Sequence, residues 1–211
     1  MRKLVLFVWL LLPVVGAAYH YGPGQEQLRV DEAAEAAARA RESAAVARQL
    51  QADEGDLAAK KHWAEAAKAY DEALTALPGA LSEEGRWLRL ERSKAMMQIS
   101  KLPDARRELI ALVDELEAES DVDPELMADA RSTLGNAQYY TTWLLRLEGE
   151  PRDVWETEIE AARQNYKLVA ARADELGDDE RSRVENENLE AALRLARMEL
   201  TELQGLPLPS V

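Results

Sequence analysis

The spacing of apolar residues is the feature of this sequence that most constrains its fold. Between Trp155 and Leu176 they recur at steps of four and three residues, and similar steps return in residues 105–116 and 189–203. At 3.6 residues per turn, this spacing places apolar side chains on one face of an α-helix and charged ones on the other. No segment shows sustained alternation with a period of two. The spacing therefore predicts an all-α protein.

Helix-breaking residues divide the chain into consecutive helices. The connections between them are short, and short connections favour antiparallel neighbours that stack as helical hairpins. The predicted helices cover about residues 30–61 (with a bend at Gly55-Asp56), 63–77, 82–101, 103–120, 124–149, 151–177 and 178–205.

Composition and charge limit the classes of partner. Hydrophobic residues make up 47% of the 211 positions and charged residues 31%, which is enough apolar material for a packed core. The net charge of −14 repels nucleic-acid phosphates, so we expect no nucleic-acid partner and a protein or peptide partner that is neutral or basic. The absence of cysteine excludes disulfides, thiolate nucleophiles and cysteine-ligated zinc.

The first segment is typical of a targeting signal. Arg2 and Lys3 precede an uncharged, mostly apolar run over residues 4–18, which ends in the small residues Gly16, Ala17 and Ala18. As a helix this run would span about 22 Å, short of the ~30 Å hydrocarbon core. Residues 1–18 are therefore predicted to be a cleaved signal peptide or a retained membrane anchor.

These features predict a domain order and a location. A linker over residues 19–29 leads to an α-helical domain over 30–205 and a short tail over 206–211. Either form of the leader places the domain outside the cytoplasm, in a periplasmic or other extracytoplasmic compartment. Contact with a membrane is expected only through the first segment, and the oligomeric state is left open.

Candidate catalytic and metal-ligating residues are sparse. The two histidines, His20 and His62, have no neighbours that suggest a nucleophilic dyad, and His62 is predicted to lie in a hairpin turn. The acidic residues at 121, 123 and 125 fit a helix N-terminus better than a calcium loop. The sequence predicts no enzyme activity, no metal and no cofactor.

Residues 62–80, HWAEAAKAYDEALTALPGA, carry a family resemblance. Ala66, Tyr70, Ala73 and Pro78 stand at the small, aromatic, small and proline positions of the second helix of a tetratricopeptide repeat (TPR). Small residues allow the helices of a hairpin to approach closely, the aromatic ring fills the gap to the next hairpin, and proline ends the helix. The chain thus resembles TPR proteins in this segment.

Weaker resemblances follow along the chain. LGNAQYY, residues 134–140, is similar to a TPR first helix, and Ala105 with Leu109 and Ala162 with Tyr166 are similar to second helices. The alanines at 66, 105 and 162 are 39 and 57 residues apart instead of the regular ~34 of the family. The resemblance therefore implies about three degenerate hairpins over residues 30–176, followed by a C-terminal capping helix. A plain α-bundle is the alternative fold.

The resemblance also implies a function. TPR first helices line a groove that holds a partner segment, so the chain is expected to be a non-enzymatic adaptor or scaffold. The alternative function is a membrane-tethered rod or self-association module. Separately, the alternative interpretation of Tyr139, Tyr140 and Trp143 is that they are core residues. The groove residues implied by matching positions are Leu90, Lys94, Met97, Asn136, Tyr139 and Tyr140.

Overall fold

The computed structural model describes residues 23–79 and 82–206. These residues form α-helices joined by short turns, with no strand in the described ranges, so the predicted all-α class is confirmed. The helices are α1 (Pro23–Glu54), α2 (Asp56–Ala76), α3 (Glu83–Gln98), α4 (Leu102–Glu117), α5 (Pro124–Glu148), α6 (Arg152–Leu176), α7 (Asp179–Arg197) and α8 (Leu200–Leu203).

The helices stack in chain order. Each of the seven long helices packs against the next, so that α1–α2, α3–α4 and α5–α6 form three antiparallel hairpins with α7 placed against the last of them. The first helices of successive hairpins also meet, because α3 contacts α5 and α5 contacts α7. We call the side formed by α1, α3, α5 and α7 the inner face.

The hairpins have chemically different interiors. Alanines dominate where α1 meets α2, and such small side chains let two helix backbones approach closely. Leucines fill the space between α3, α4 and α5. Larger side chains, among them Trp143 and Tyr166, fill the space between α5, α6, α7 and α8. A continuous series of apolar contacts thus joins neighbouring helices along the array.

The first turn does not lie where the sequence predicted it. The helix that was expected over residues 30–61 ends at Glu54, and α2 begins at Asp56. Gly55 makes this turn with φ of +90°, a conformation that side-chain-bearing residues rarely adopt. His62, predicted to lie in a turn, is inside α2 and pairs with Glu65. The prediction was wrong because the polar residues at 60–62 suggested a break that the glycine makes earlier.

The start of α1 also differs from the prediction. The helix begins at Pro23, inside the segment that was expected to be a linker, and residues 25–32 are exposed to solvent. Residues 19–22 and the predicted leader over residues 1–18 lie outside the described residues, as does the tail from residue 207 onward. No helix in the described ranges is long and apolar enough to cross a membrane.

The structure also differs from the prediction at the C-terminal end of the array. One helix was expected from about Asp178 to Gly205, but α7 ends at Arg197 and Met198 is extended. The short helix α8 follows and buries Leu203 completely. The break depends on Arg146 of α5, whose guanidinium donates hydrogen bonds to the carbonyls of Leu195 and Met198. A side chain 49 residues upstream thus determines where α7 ends.

Other helix boundaries follow local sequence signals. The side chain of Ser82 accepts a hydrogen bond from the Gly85 amide at the start of α3, and Asp123 does the same for Glu125 at the start of α5. The acidic residues near position 123 therefore include a helix cap, as the sequence suggested. Gly149 and Gly177 end α5 and α6 in the left-handed conformation.

Candidate binding groove on the inner face

A depression of about 270 Å³ opens on the inner face, where α1, α2, α3 and α5 meet. It forms because α3 has 16 residues and α5 has 25, so α5 and the turn at Gly55 continue past the end of α3. We call this depression the inner groove. It is lined by Arg48, Gln51, Trp63, Lys94, Met97, Gln98, Thr133 and Asn136.

The apolar part of the groove comes from two nearly buried side chains. Trp63 of α2 is 7% exposed and Met97 of α3 is 7% exposed. The Trp63 indole donates a hydrogen bond to the Gln51 side chain at 3.3 Å, which fixes the orientation of the ring. The groove therefore has an ordered apolar wall that can contact the side chain of a bound segment.

Amide side chains form the polar part. The Gln51 amide nitrogen lies 2.8 Å from an Asp56 carboxylate oxygen and 3.1 Å from the Gln98 side-chain oxygen. This set joins α1, α2 and α3 at the mouth of the groove. The Gln51 amide donates to Asp56 and Gln98 and accepts from Trp63, so this set holds the polar wall of the groove in a fixed position.

The local charge differs from the charge of the whole chain. None of the eight lining residues carries a carboxylate, although the net charge of the chain is −14. Arg48 is exposed and makes no ion pair with another described residue. Lys94 is half-buried and pairs with Glu91 at 2.7 Å and Asp129 at 3.5 Å. Arg48 is therefore the cation of the groove that is available to a ligand.

Three of the six residues predicted to form a groove line this depression: Lys94, Met97 and Asn136. Leu90 does not, because it is 0% exposed and packs among the leucines between α3, α4 and α5. It was placed in the groove only because one helix turn separates it from Lys94. The position of a residue along a helix does not show whether a neighbouring helix covers it.

Asn136 has a second role inside the array. Its side-chain oxygen accepts a hydrogen bond from the Tyr166 hydroxyl of α6 at 2.9 Å. Burial raises the pKa of Tyr166 far above its usual value, and the nearby Glu185 carboxylate adds to this effect. The hydroxyl therefore remains a neutral donor, and Tyr166 of α6 holds Asn136 in place at the groove.

The two predicted tyrosines lie on different sides of α5. Tyr139 packs against Trp143 with ring centroids 6.2 Å apart, and burial raises its pKa. Tyr140 packs against the leucines between α3, α4 and α5, and its pKa is raised to about 12 by burial, with a contribution from Asp56. Both rings are half-buried. Neither lines the depression, so they contribute packing next to it.

The residues that carry the TPR resemblance are helix-packing residues, apart from the proline. Pro78 is exposed and follows the end of α2. The other seven are at most 2% exposed: Ala66, Tyr70, Ala73, Ala105, Leu109, Ala162 and Tyr166.

Sequence reasoning missed most of the groove. Arg48, Gln51 and Trp63 were overlooked because the expected turn at residue 62 placed the ends of α1 and α2 in the wrong register. Gly55 followed by Asp56 was the available signal, since glycine followed by a short acidic residue commonly marks a turn. With the turn at Gly55, the side chains of Gln51 and Trp63 meet across it.

The described residues contain no group of three or more histidine, aspartate or glutamate side chains that could hold a metal ion. In comparisons with known proteins, no family model matches the sequence. No curated protein matches it either. The TPR resemblance therefore rests on individual residues and on the packing of the helices.

Proposed function

We propose that this protein is a non-enzymatic adaptor or scaffold that holds an extended segment of another protein in the inner groove. The observation that carries the proposal is the composition of that groove. Amide groups from Gln51, Gln98 and Asn136 surround an apolar wall formed by Trp63 and Met97. The Asn136 amide nitrogen makes no hydrogen bond with another described residue, so it can donate to a peptide carbonyl. The apolar wall accommodates a side chain, and the two together suit a polypeptide.

A TPR-like arrangement of the hairpins supports the same function. The first helices of successive hairpins contact one another along the inner face, and a tyrosine of each of two second helices is buried at a helix interface. This is the relation that the family uses to present first helices to a partner. Helices α5 and α6, at 25 residues each, are longer than those of regular repeats, so the array is a degenerate member of that architecture.

The charge distribution favours a particular kind of partner. The chain carries a net charge of −14, which attracts a basic protein at long range and does not repel a neutral one. Within the groove, the free guanidinium of Arg48 favours an acceptor group on the bound segment. The partner is thus a neutral or basic protein whose bound segment is rich in hydrogen-bond acceptors. If the leader acts as proposed, this partner is met outside the cytoplasm.

A binding experiment with matched variants tests the groove. The full chain, immobilised in mild detergent, is used to capture proteins from the native envelope fraction, and overlapping peptides of each captured protein are then measured for affinity. We expect one peptide to bind wild type and to bind Arg48→Glu at least tenfold more weakly, since the reversed charge repels its acceptor groups.

Arg29→Glu is the matched control, because Arg29 is also exposed on α1 but lies far from the groove. A second groove variant, Gln51→Ala, removes an amide without changing charge, and its folding is checked by circular dichroism. Equal affinity of all three variants for every captured peptide would reject the inner groove as the binding site.

A further inference from the structure

A second depression, of about 440 Å³, lies between the beginning of α4 and the last turns of α5. Its walls are mostly apolar, in contrast to the amide-lined inner groove. We call it the α4–α5 patch. It is lined by Leu102, Pro103, Arg106, Arg107, Thr141, Leu144, Leu145 and Glu148.

Protruding leucines border this depression. Leu144 is 37% exposed, and Leu147, one turn further along α5, is 36% exposed. Single exposed leucines are common on protein surfaces. Here, however, the exposed Leu144 is itself part of the wall of an apolar hollow, so that one surface offers both a projection and a recess of the same chemistry. That combination suits a contact with a copy of itself.

The two edges of the α4–α5 patch carry opposite charges. Arg107 stands on the α4 side and pairs only with the exposed Asp104, three residues earlier on the same helix. Glu148 stands on the α5 side and has no ion pair with another described residue. Arg106 is held by Glu158 of α6 at 2.7 Å. The patch thus has one basic edge and one acidic edge.

We propose that a second copy of this chain covers the α4–α5 patch, with α4 of each copy lying on α5 of its partner around a two-fold axis. In such an isologous contact, wherever residue i of one copy contacts residue j of the other, residue j of the first copy also contacts residue i of the second. The basic edge of one copy then faces the acidic edge of the other, and the leucines of one enter the hollow of the other. The inner groove is not part of this contact.

The size of the patch sets the strength of the dimer. Stable interfaces bury ~800 Å² per partner, and a contact centred on one depression is small by that standard. The net charge of −14 on each copy also opposes association. The dimer is therefore expected to dissociate on dilution, with apolar contact supplying the attraction and the charged edges fixing the orientation.

Cysteine cross-linking tests the contact, because the chain has no cysteine of its own. A single Leu144→Cys substitution is introduced into the full chain, which is kept in mild detergent and oxidised gently. Leu144 lines the depression, so a two-fold axis that passes through the depression brings the two copies of this position near each other. We expect disulfide-linked dimers to form at least fivefold faster than in Leu168→Cys, whose position on α6 is similarly exposed at 40%. Equal rates for the two variants would overturn the proposal.

Charge reversal provides a second test that does not depend on protein stability. In the Leu144→Cys background, Arg107→Glu alone and Glu148→Arg alone are each expected to slow cross-linking severalfold, since like charges then face each other. In a mixed dimer of the two variants both edge contacts across the axis again pair opposite charges, so mixed dimers should form faster than either variant forms its own. If the mixture cross-links no faster than the separate variants, the edges do not meet and the proposed two-fold contact is wrong.

Discussion

Gly135 of α5 lies against the ring of Tyr166 of α6, with no room for a side chain between them. A Cβ atom placed at Gly135 would be 2.7 Å from Cε1 of the tyrosine, closer than nonbonded carbons approach. The ring cannot move aside easily, because it is 2% exposed and its hydroxyl donates to Asn136. This contact sets the distance between the two helices of the third hairpin.

Gly135→Ala should therefore destabilise the protein even though alanine favours helix formation. The propensity gain is about 1 kcal/mol, whereas overpacking costs about 1–3 kcal/mol, so a net loss of up to about 2 kcal/mol is expected from urea unfolding. In a Tyr166→Leu background the clash disappears, and the same glycine substitution should become neutral or stabilising. A loss of equal size in both backgrounds would show that the ring is not the cause.

Arg146 should be required for the ordered turn between α7 and α8. Its guanidinium caps the carbonyls at the end of α7 and lies over the Trp155 ring at 4.7 Å. Arg146→Met leaves the Met198 carbonyl without a partner among the described residues and the Leu195 carbonyl with only the Met198 amide, at 3.4 Å. This should cost about 2 kcal/mol and accelerate amide hydrogen exchange in residues 198–206. Arg152→Met is the control, because Arg152 lies over the same ring at 5.9 Å but is exposed. Similar exchange in both variants would contradict the capping role.

The ion pairs between α3 and α4 should stabilise the fold less at low pH. Glu115 accepts hydrogen bonds from Arg86 and Arg89, each at 2.7 Å. Burial opposes its ionisation, but the hydrogen bonds and charges of the two arginines outweigh it, so the pKa of Glu115 lies below its usual value. Stability from this group is therefore present above the unfolded pKa of about 4.3 and is lost as the pH falls through the lower folded value.

Glu115→Gln should accordingly lower the free energy of unfolding by roughly 1 kcal/mol at pH 7 and by progressively less toward pH 3. Urea titrations at several pH values measure this difference. Glu180 also pairs with an arginine, but on the solvent-exposed face of α7. Glu180→Gln should change stability less, and a pH-independent effect of Glu115→Gln would contradict the ionic explanation.

Alkali should reveal late-titrating tyrosines in the native state, Tyr70 and Tyr140 among them. Burial, with the Glu91 carboxylate, raises the pKa of Tyr70 to about 12, and burial with Asp56 does the same for Tyr140. Because the unfolded phenol titrates near 10, folding stability should decline between about pH 10 and 12. Tyrosinate absorbance should show a high-pH step that moves to about pH 10 in urea. Tyr70→Phe should reduce the amplitude of that step, whereas an unchanged amplitude would place Tyr70 in solvent.

Local sequence signals determined much of this fold. The steps of three and four residues specified which face of each helix is buried, as the complete burial of Ala105, Leu109 and Ala162 shows. Ser82, Asp123 and Gly149 marked helix ends correctly because capping depends on residues within one turn of the end. Such interactions are local, so they can be predicted without knowing the rest of the chain.

Other features were decided only by the tertiary structure. The end of α7 depends on Arg146 of another helix, and the inner groove depends on the unequal lengths of α3 and α5. Leu90 illustrates the same limit, since helical periodicity alone did not show that a third helix covers it. The sequence by itself thus determined that amphipathic helices stack as hairpins. Which surfaces remain open was decided by contacts between residues far apart in the chain, because burial depends on what packs against a helix as well as on the helix itself.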